Sequence, residues 1–493
     1  MACTLFLKTL AFSVALTAAT RQVASRGLQQ QQQQQQQLQK PTPAPTTTLS
    51  PPVPSFTPVS DPPKNWYVAA EAPDYNNAVH AEFLQTIKHV RGKGERYAVF
   101  DWDNTCMYGD ISYTSVFYQM DNLEYRIQPE QFERTFALGY TASNGDECLP
   151  LGVNSVLGTD VNGANVTLAR ALAATAADYR VLYDAYIAPT HNLSARANRS
   201  TAVALTLAQA RATAAFQNFR AKLAFLTFGL EASYGAKDRL PCAMRIGMTV
   251  FPQLLVGMTD AEIRALIRAS VRWNLGAQLA APSFTSSGDL AVKGDYSTGL
   301  RVFNGQETAM RSLRAFDTDV YIISASPQVF VEEVGRLLGL GFLVPSTNVF
   351  AVRFAFDGGA FSGRLVADYP ITWGPGKAAI VEKVLKPRYR NKAPVYASGD
   401  SDGDCDMLAT VRDGIVHVNN RLKDASTCIQ AFYELSCRFF LAQEPATKNK
   451  YLLQGQDKAL GSWIPSGFST KDGVSYKSSA AANNACAAYK FLQ

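Results

Sequence analysis

The chain has 493 residues, 47% of them hydrophobic, and its 47 basic and 41 acidic residues give a formal charge of +6. That length can bury a large core and more than one domain. The charges form no long block or aromatic-interleaved basic stripe, which argues against a nucleic-acid partner. No stretch beyond the first residues has the ~20 uninterrupted apolar positions of a membrane span.

Met1 to Ala19 has one charge, Lys8, then an apolar run and the small residues Thr17-Ala18-Ala19. This pattern predicts a cleaved signal peptide and a protein secreted or held in the lumen of the secretory pathway. Ala485 to Gln493 lacks the hydrophobic tail of a lipid-anchor signal. Residues 20–64 hold the glutamine run Gln29–Gln37 and a segment rich in proline, threonine and serine. They offer nothing to bury and read as a disordered linker. Tyr97 to Thr105, YAVFDWDNT, is an apolar run that stops at two aspartates, as a buried parallel strand does at its carboxyl end.

Residues 108–297 follow as a long insertion, apolar at helical spacing over Thr167–Ala188 and Ala202–Tyr234. Thr259-Asp260-Ala261-Glu262 is a capping box, with Ile263, Leu266, Ile267 and Val271 on one helical face. The insertion therefore reads as a mostly helical second domain. From Val302 strand and helix signals alternate. Strands are expected at Val320–Ile323, Val395–Ala397 and Ile415–Val418, and helices at Val329–Leu338, Lys377–Leu385 and Cys405–Val411. Asn348–Leu365 reads as a hairpin turning at Asp357-Gly358-Gly359. Such alternation predicts an α/β fold with a parallel sheet covered on both faces. The core is expected to span 65–107 and 298–440, with a loop-rich extension over 441–493.

Apart from Cys3 there are seven cysteines, so at least one stays unpaired within the chain. Cys106 and Cys405 sit inside candidate site motifs and are the expected free thiols. Cys148–Cys242 is the expected disulfide, with further pairing among Cys428, Cys437 and Cys486. No spacing suits zinc. Sequons at Asn165, Asn192 and Asn198 fit an exported glycoprotein.

The chemistry concentrates where strands end. Asp101 and Asp103 are costly to hold together unless a cation sits between them; one carboxylate could attack an electrophile while the other moves protons. Ser324 leaves its strand in VYIISASP, Lys377 opens a helix after WGPG, and Asp400 and Asp404 follow a strand in VYASGDSDGDCDML. The last run imitates an EF-hand calcium loop, but Cys405 and Val411 stand where that loop needs glycine and a carboxylate, so the calcium reading fails.

These four stretches, in this order, resemble the haloacid-dehalogenase-like phosphohydrolases, whose pattern is Asp-x-Asp-x-Thr, a strand-end Ser or Thr, Lys, and Gly-Asp-x-x-x-Asp. The chain looks most like the branch of phosphoserine and phosphorylcholine phosphatases. Asp110, the stretch Gly257 to Leu266 and Phe361-Ser362-Gly363 support that branch. Ser324-Ala325-Ser326 departs from the Ser-Gly-Gly usual in phosphoserine enzymes, and the insertion is longer than theirs. Asp101 to Thr105 and Trp373 to Lys377 look closer to the phosphorylcholine group.

The resemblance implies a Rossmann-like three-layer sandwich with a central parallel sheet and a large helical cap after the first strand. It also implies a Mg²⁺-dependent phosphomonoesterase in which Asp101 forms an aspartyl-phosphate and Asp103 serves as acid and base. Ser324 and Lys377 would hold phosphoryl oxygens. The metal would be held by Asp101, the backbone carbonyl of Asp103 and Asp400, with Asp404 orienting the metal shell or Lys377. A small substrate such as phosphocholine or phosphoethanolamine would want aromatic faces and an acid, for which Tyr108, Asp110, Tyr113 and Trp273 are available. A non-catalytic secreted binding protein on the same fold is the competing class, and the presence of both Asp101 and Lys377 argues against it. A dehalogenase would not need Asp103.

Overall fold

The computed structural model describes residues 95–141, 152–193, 204–233, 246–421, 428–441 and 450–463. The expected signal peptide and linker lie outside these, as do Cys148, Cys242, Cys486 and Asn198. The central sheet has six parallel strands: β1 (Tyr97–Phe100), β2 (Asp319–Pro327), β3 (Val349–Val352), β4 (Tyr396–Gly399), β5 (Ile415–Asn419) and β6 (Tyr451–Gln454). They lie in the order β6-β5-β4-β1-β2-β3. β1 pairs with β2 on one side, Ala98 opposite Val320, and with β4 on the other, Val99 opposite Ala397.

The side-chain period of two sorts each strand between two cores. Ala98, Phe100, Val320, Ile322, Val349 and Tyr396 pack on one face with helix residues Met310, Leu313, Phe330 and Val334. Tyr97, Val99, Tyr321, Ile323, Phe350 and Ala397 pack on the other with Ile380, Leu385, Leu408 and Ile429. Helices on both faces of a buried, largely apolar sheet make the expected α/β Rossmann-like sandwich.

The insertion opens with helix α1 (Ile111–Asn122) and builds a third core, in which Tyr125, Phe132, Tyr179 and Phe219 pack as mutual aromatic contacts. Helix α2 (Asp260–Gly276) begins at the expected capping box, where Thr259 Oγ1 accepts from the Glu262 N–H and Glu262 Oε2 accepts from the Thr259 N–H. Its apolar face packs into the sheet-side core instead of the third core. Helix α3 (Gln328–Gly335) lies against it, and Arg264 and Arg268 of α2 pair with Glu332 and Glu333 of α3 at 2.7–2.8 Å. The insertion is thus tied to the sheet layer by one of its own helices.

Three sequence expectations are corrected. Val349–Val352 is a strand of the central sheet, because all four residues are apolar and buried on both faces; the hairpin proper is Phe354–Asp357 with Ala360–Leu365. The tail expected to be loop-rich supplies the edge strand β6, a run too short to show a period. Cys405 is not free: it bonds to Cys428 across 23 residues. Cys106 is the buried free thiol.

Candidate active site

The order of the strands reverses at β1: the chain steps outward through β2 and β3, then returns to place β4 on the other side. Ligands bind in such crevices at the carboxyl ends of the strands. Asp101 follows β1 there, and its N–H completes the ladder to the Ser398 carbonyl at 2.9 Å. The chain then turns sharply through Asn104, which is left-handed at φ 59°. Asparagine tolerates that conformation. Asn419, at the end of β5, donates to the Asn104 and Thr105 carbonyls at 2.9 and 3.1 Å, which fixes the turn.

Within this turn the two aspartates diverge. Asp101 is buried and faces Thr105 Oγ1 at 2.9 Å and the Lys377 ammonium. Asp103 turns toward the insertion, accepting from the Ile111 N–H at 2.7 Å and from Ser326 Oγ at 2.6 Å. Burial pushes the Asp101 carboxyl well above the usual range, reinforced by Asp404 and Asp400 and opposed by Lys377. Burial also raises Asp103, with the Asp110 charge adding to it and Ser326 opposing.

Lys377 lies in the short helix α4 (Pro375–Ile380), and the turn before it requires glycines. Gly374 sits at φ +53°, and a Cβ on Gly376 would lie 1.7 Å from the Ile371 carbonyl oxygen. The buried ammonium contacts Asp101 and, at 2.6 Å, Asp404 Oδ1. Burial pulls its pKa down, but the two carboxylates outweigh that and raise it. Asp404 Oδ2 accepts from the Asp400 and Ser401 N–H groups at 2.9 and 3.0 Å, so Asp404 both holds the lysine and shapes its own loop. Asp400 accepts from Thr105 Oγ1 at 3.1 Å and pairs with Arg421 at 2.8 Å.

One ligand oxygen each from Asp101, Asp400 and Asp404 gathers within 4.8 Å. Hard carboxylate oxygens suit Mg²⁺, and a divalent cation would relieve the mutual repulsion that Lys377 balances only in part. Asp404 alone of the three also accepts from backbone N–H groups of its own loop, so it is the one most tied to holding that loop. The carboxylate of Asp103 is not in this cluster. Asp402 with Cys405 and Cys428 forms a second grouping, but its sulfurs are joined in the disulfide.

A cavity of about 120 Å³ opens on Asp101, Asp103, Lys377 and Asp400. Its other walls are Asp110, Ser112, Tyr113, Met248 and Phe251 from the insertion, with Ala325, Ser326, Trp373 and Arg421 from the sheet side. Three expected site residues are placed differently from the expectation. Ser324 is fully buried, its hydroxyl accepting from the Ser326 N–H at 3.1 Å, and the cavity wall is carried by Ser326. Tyr108 is not on the wall; its hydroxyl donates to the Lys458 carbonyl at 2.9 Å and its ring packs on Phe303. Trp273 is 44% exposed and packs on Phe117 and Tyr118, because it lies on the outer side of α2. Asp110 does line the cavity, yet it also caps α1, accepting from the Ser112 and Tyr113 N–H groups. Arg421, Asn419, Met248 and Phe251 carried no motif. Trp373 stood beside the lysine motif and could have been picked from it.

Fold and site together form an α/β sandwich with an acidic crevice at the carboxyl ends of its strands, lined in part by residues of the insertion. Residues 296–409 match the family model of haloacid dehalogenase-like hydrolases. Among solved structures, a conserved protein of unknown function from Anaerococcus prevotii is similar over 83% of this chain and 100% of its own, at 19% identity and a TM-score of 0.64. That likeness is one of fold. A protein of unknown function from Bordetella pertussis, at 12% identity, covers 66% of this chain and 91% of its own with a TM-score of 0.32. A phosphoserine phosphatase in a phospho-aspartyl intermediate analogue state, at 10% identity, covers 66% and 87% with a TM-score of 0.28. Both are too distant in fold to bear on this site. No curated protein sequence matches the chain.

Proposed function

We propose that this protein is an exported, Mg²⁺-dependent phosphomonoesterase working through an aspartyl-phosphate on Asp101. The observation that carries the reading is the buried chain Asp101–Lys377–Asp404, set beside Asp400 at the carboxyl end of the sheet. Lys377 keeps a nucleophilic carboxylate and a phosphoryl oxygen within reach of one positive charge. Asp101 and Asp400 would hold Mg²⁺, with Asp404 fixing their loop; when bound, the ion supplies charge that lets an anionic nucleophile meet an anionic phosphate. Ser326 and the main chain around Ala325 line the same cavity and would take a further phosphoryl oxygen.

Asp103 suits the proton transfers. Its raised proton affinity keeps a proton available for the leaving oxygen, and the carboxylate left behind can take one from the attacking water. Its bonds to Ile111 and Ser326 hold it at the mouth, between nucleophile and insertion. Trp373, Tyr113 and Phe251 with the Asp110 carboxylate make a wall suited to a small cationic head, so the substrate is a small phosphomonoester of the phosphocholine or phosphoethanolamine kind.

The test is phosphate release from a panel of small phosphomonoesters with and without Mg²⁺, using wild type and Asp101→Asn. Wild type should turn over only with the metal, and the variant, still folded by circular dichroism, should lose at least about a thousandfold in kcat. A variant keeping a tenth of the rate would rule out a nucleophilic Asp101.

A further inference from the structure

Arg421 follows β5 directly and belongs to none of the four motifs. It rests on the phosphatase reading above that we propose a role for it: Arg421 binds a non-bridging oxygen of the substrate's phosphoryl group and so selects the doubly charged form of the ester. Three observations converge on this. The guanidinium lines the same cavity as Asp101 and Lys377. Its side chain is one third exposed, whereas the Lys377 ammonium is almost wholly enclosed by its two carboxylates. Arg421 is therefore the cation an arriving dianion meets first. Finally, among the described residues one of its five side-chain N–H donors is committed, to Asp400 Oδ2 at 2.8 Å, and the planar fork suits a second, phosphate-bound pair of donors.

Charge favours a further cation here, beside the Mg²⁺ proposed above. Asp101, Asp103, Asp110 and Asp400 all face this small cavity, and Lys377 is already shared between Asp101 and Asp404. A phosphate dianion entering such a wall would meet net repulsion from anything but a site with further positive charge. A guanidinium stays charged at any working pH, so Arg421 supplies that charge throughout.

Its backbone is also fixed, so little ordering remains to be done on binding. The Arg421 N–H donates to Tyr433 Oη at 3.2 Å, and Tyr433 lies in helix α5 (Ile429–Leu441). The start of that helix is fastened to the Asp400–Asp404 loop twice, by the Cys405–Cys428 disulfide and by the Ile429 N–H donating to Asp402 Oδ1 at 3.1 Å. Arg421 and the aspartate loop therefore keep a common frame.

The experiment compares wild type, Arg421→Met and Arg421→Lys in three measurements: KM for the best phosphomonoester, inhibition by inorganic phosphate, and Mg²⁺ binding to the phosphate-free protein by calorimetry. Arg421→Met should raise KM and weaken phosphate inhibition by about 10- to 100-fold, the loss of one charge-assisted contact. Arg421→Lys should recover part of both. Mg²⁺ binding should not weaken in either variant, because Asp400 keeps its bond from Thr105. KM and phosphate inhibition within twofold of wild type in Arg421→Met would overturn the role. So would weakened Mg²⁺ binding with phosphate inhibition unchanged, which would make Arg421 only a brace for Asp400. Should Arg421→Met fail to fold, Arg421→Lys decides alone: a phosphate affinity equal to wild type, where the fork geometry has been lost, overturns the fork-based contact. A wild-type protein that neither hydrolyses phosphomonoesters nor binds phosphate would remove the phosphatase reading itself.

Discussion

The sheet side and the insertion side of the cavity are built on opposite plans. On the sheet side the carboxylates are tied down: Asp404 accepts from Lys377 and two backbone N–H groups, Asp400 from Thr105 and Arg421, and Asn419 braces the nucleophile turn. On the insertion side Tyr113, Met248 and Phe251 present rings and a thioether, with Asp110 and Ser112 at the helix start as the polar contribution. A saturated network fixes atoms within tenths of an ångström, which phosphoryl chemistry demands. An apolar wall tolerates substitution and tunes what sits beside the reacting bond. The difference teaches that the polar cluster comes from the sheet side, while the insertion supplies most of the apolar wall.

Asp103 stands where the two halves meet and gives the sharpest test of that division. Replacing it with asparagine removes the carboxyl proton while keeping an oxygen to accept from the Ile111 N–H and an amide group that can donate to Ser326 Oγ. The rate should fall about 10²- to 10⁴-fold for alkyl phosphates and much less for p-nitrophenyl phosphate, whose leaving group needs little protonation. Its raised pKa fixes the sign of the pH profile. Wild-type kcat should decline on the alkaline side as the Asp103 proton is lost, and Asp103→Asn should flatten that limb. Equal losses for both substrates would place Asp103 with the structural groups instead.

A smaller effect tests the aromatic ring that the sheet side adds to the apolar wall. Trp373→Ala should raise KM for the preferred substrate about 3- to 10-fold with kcat little changed, the scale of one aromatic contact. Trp273→Ala should leave both constants unchanged, since that ring lies outside the cavity. Matching changes in the two variants, read from initial-rate kinetics, would mean that the wall is not where the structure puts it.

The two halves also differed in how far the sequence revealed them. Asp101, Lys377, Asp400 and Asp404 could be found because each must leave an apolar strand or open a helix at one place, and the spacing of the sheet enforces the order. Arg421 and Asn419 could not, because a polar residue after a strand is ordinarily a solvated turn and only the fold shows them turned inward. Ser326 was masked by Ser324, one of two hydroxyls in a strand whose register only the bulge between Ile323 and Pro327 reveals. In the insertion the aromatic residues gave no direction at all. Trp273 and Phe251 are equally apolar in sequence, and it is the packing of α2 onto the sheet-side core that turns one outward while the other meets the cavity. Cys405 was misjudged because its place inside a site motif suggested an unpaired thiol, whereas its partner Cys428 lies at the start of a helix that had not been foreseen.

The last test separates the halves by stability. His417 on β5 is fully buried beneath the site, stacked on Tyr396 and edge-on to Trp463, with Nδ1 bonded to Ser398 Oγ at 3.1 Å. Burial lowers its pKa to about 3, from an ordinary value of 6.5. Between those two values the unfolded chain takes up a proton that the folded chain refuses, so stability falls as the pH drops through this window. The cost from this residue is about 1.4 kcal/mol at pH 5.5 and grows by at most ~1.4 kcal/mol for each further pH unit. The insertion's buried tyrosines act the other way round: burial raises Tyr125, Tyr179 and Tyr296, so they stay neutral across the same range and add no such slope. Urea melts of wild type and His417→Gln at pH 7.5 and 5.5 isolate the residue, because every other group cancels in the difference. The variant should lose about 1.4 kcal/mol less than wild type on acidification. An identical loss in both would mean that His417 is not held neutral in the folded sheet, and that the acid sensitivity of this half has another source.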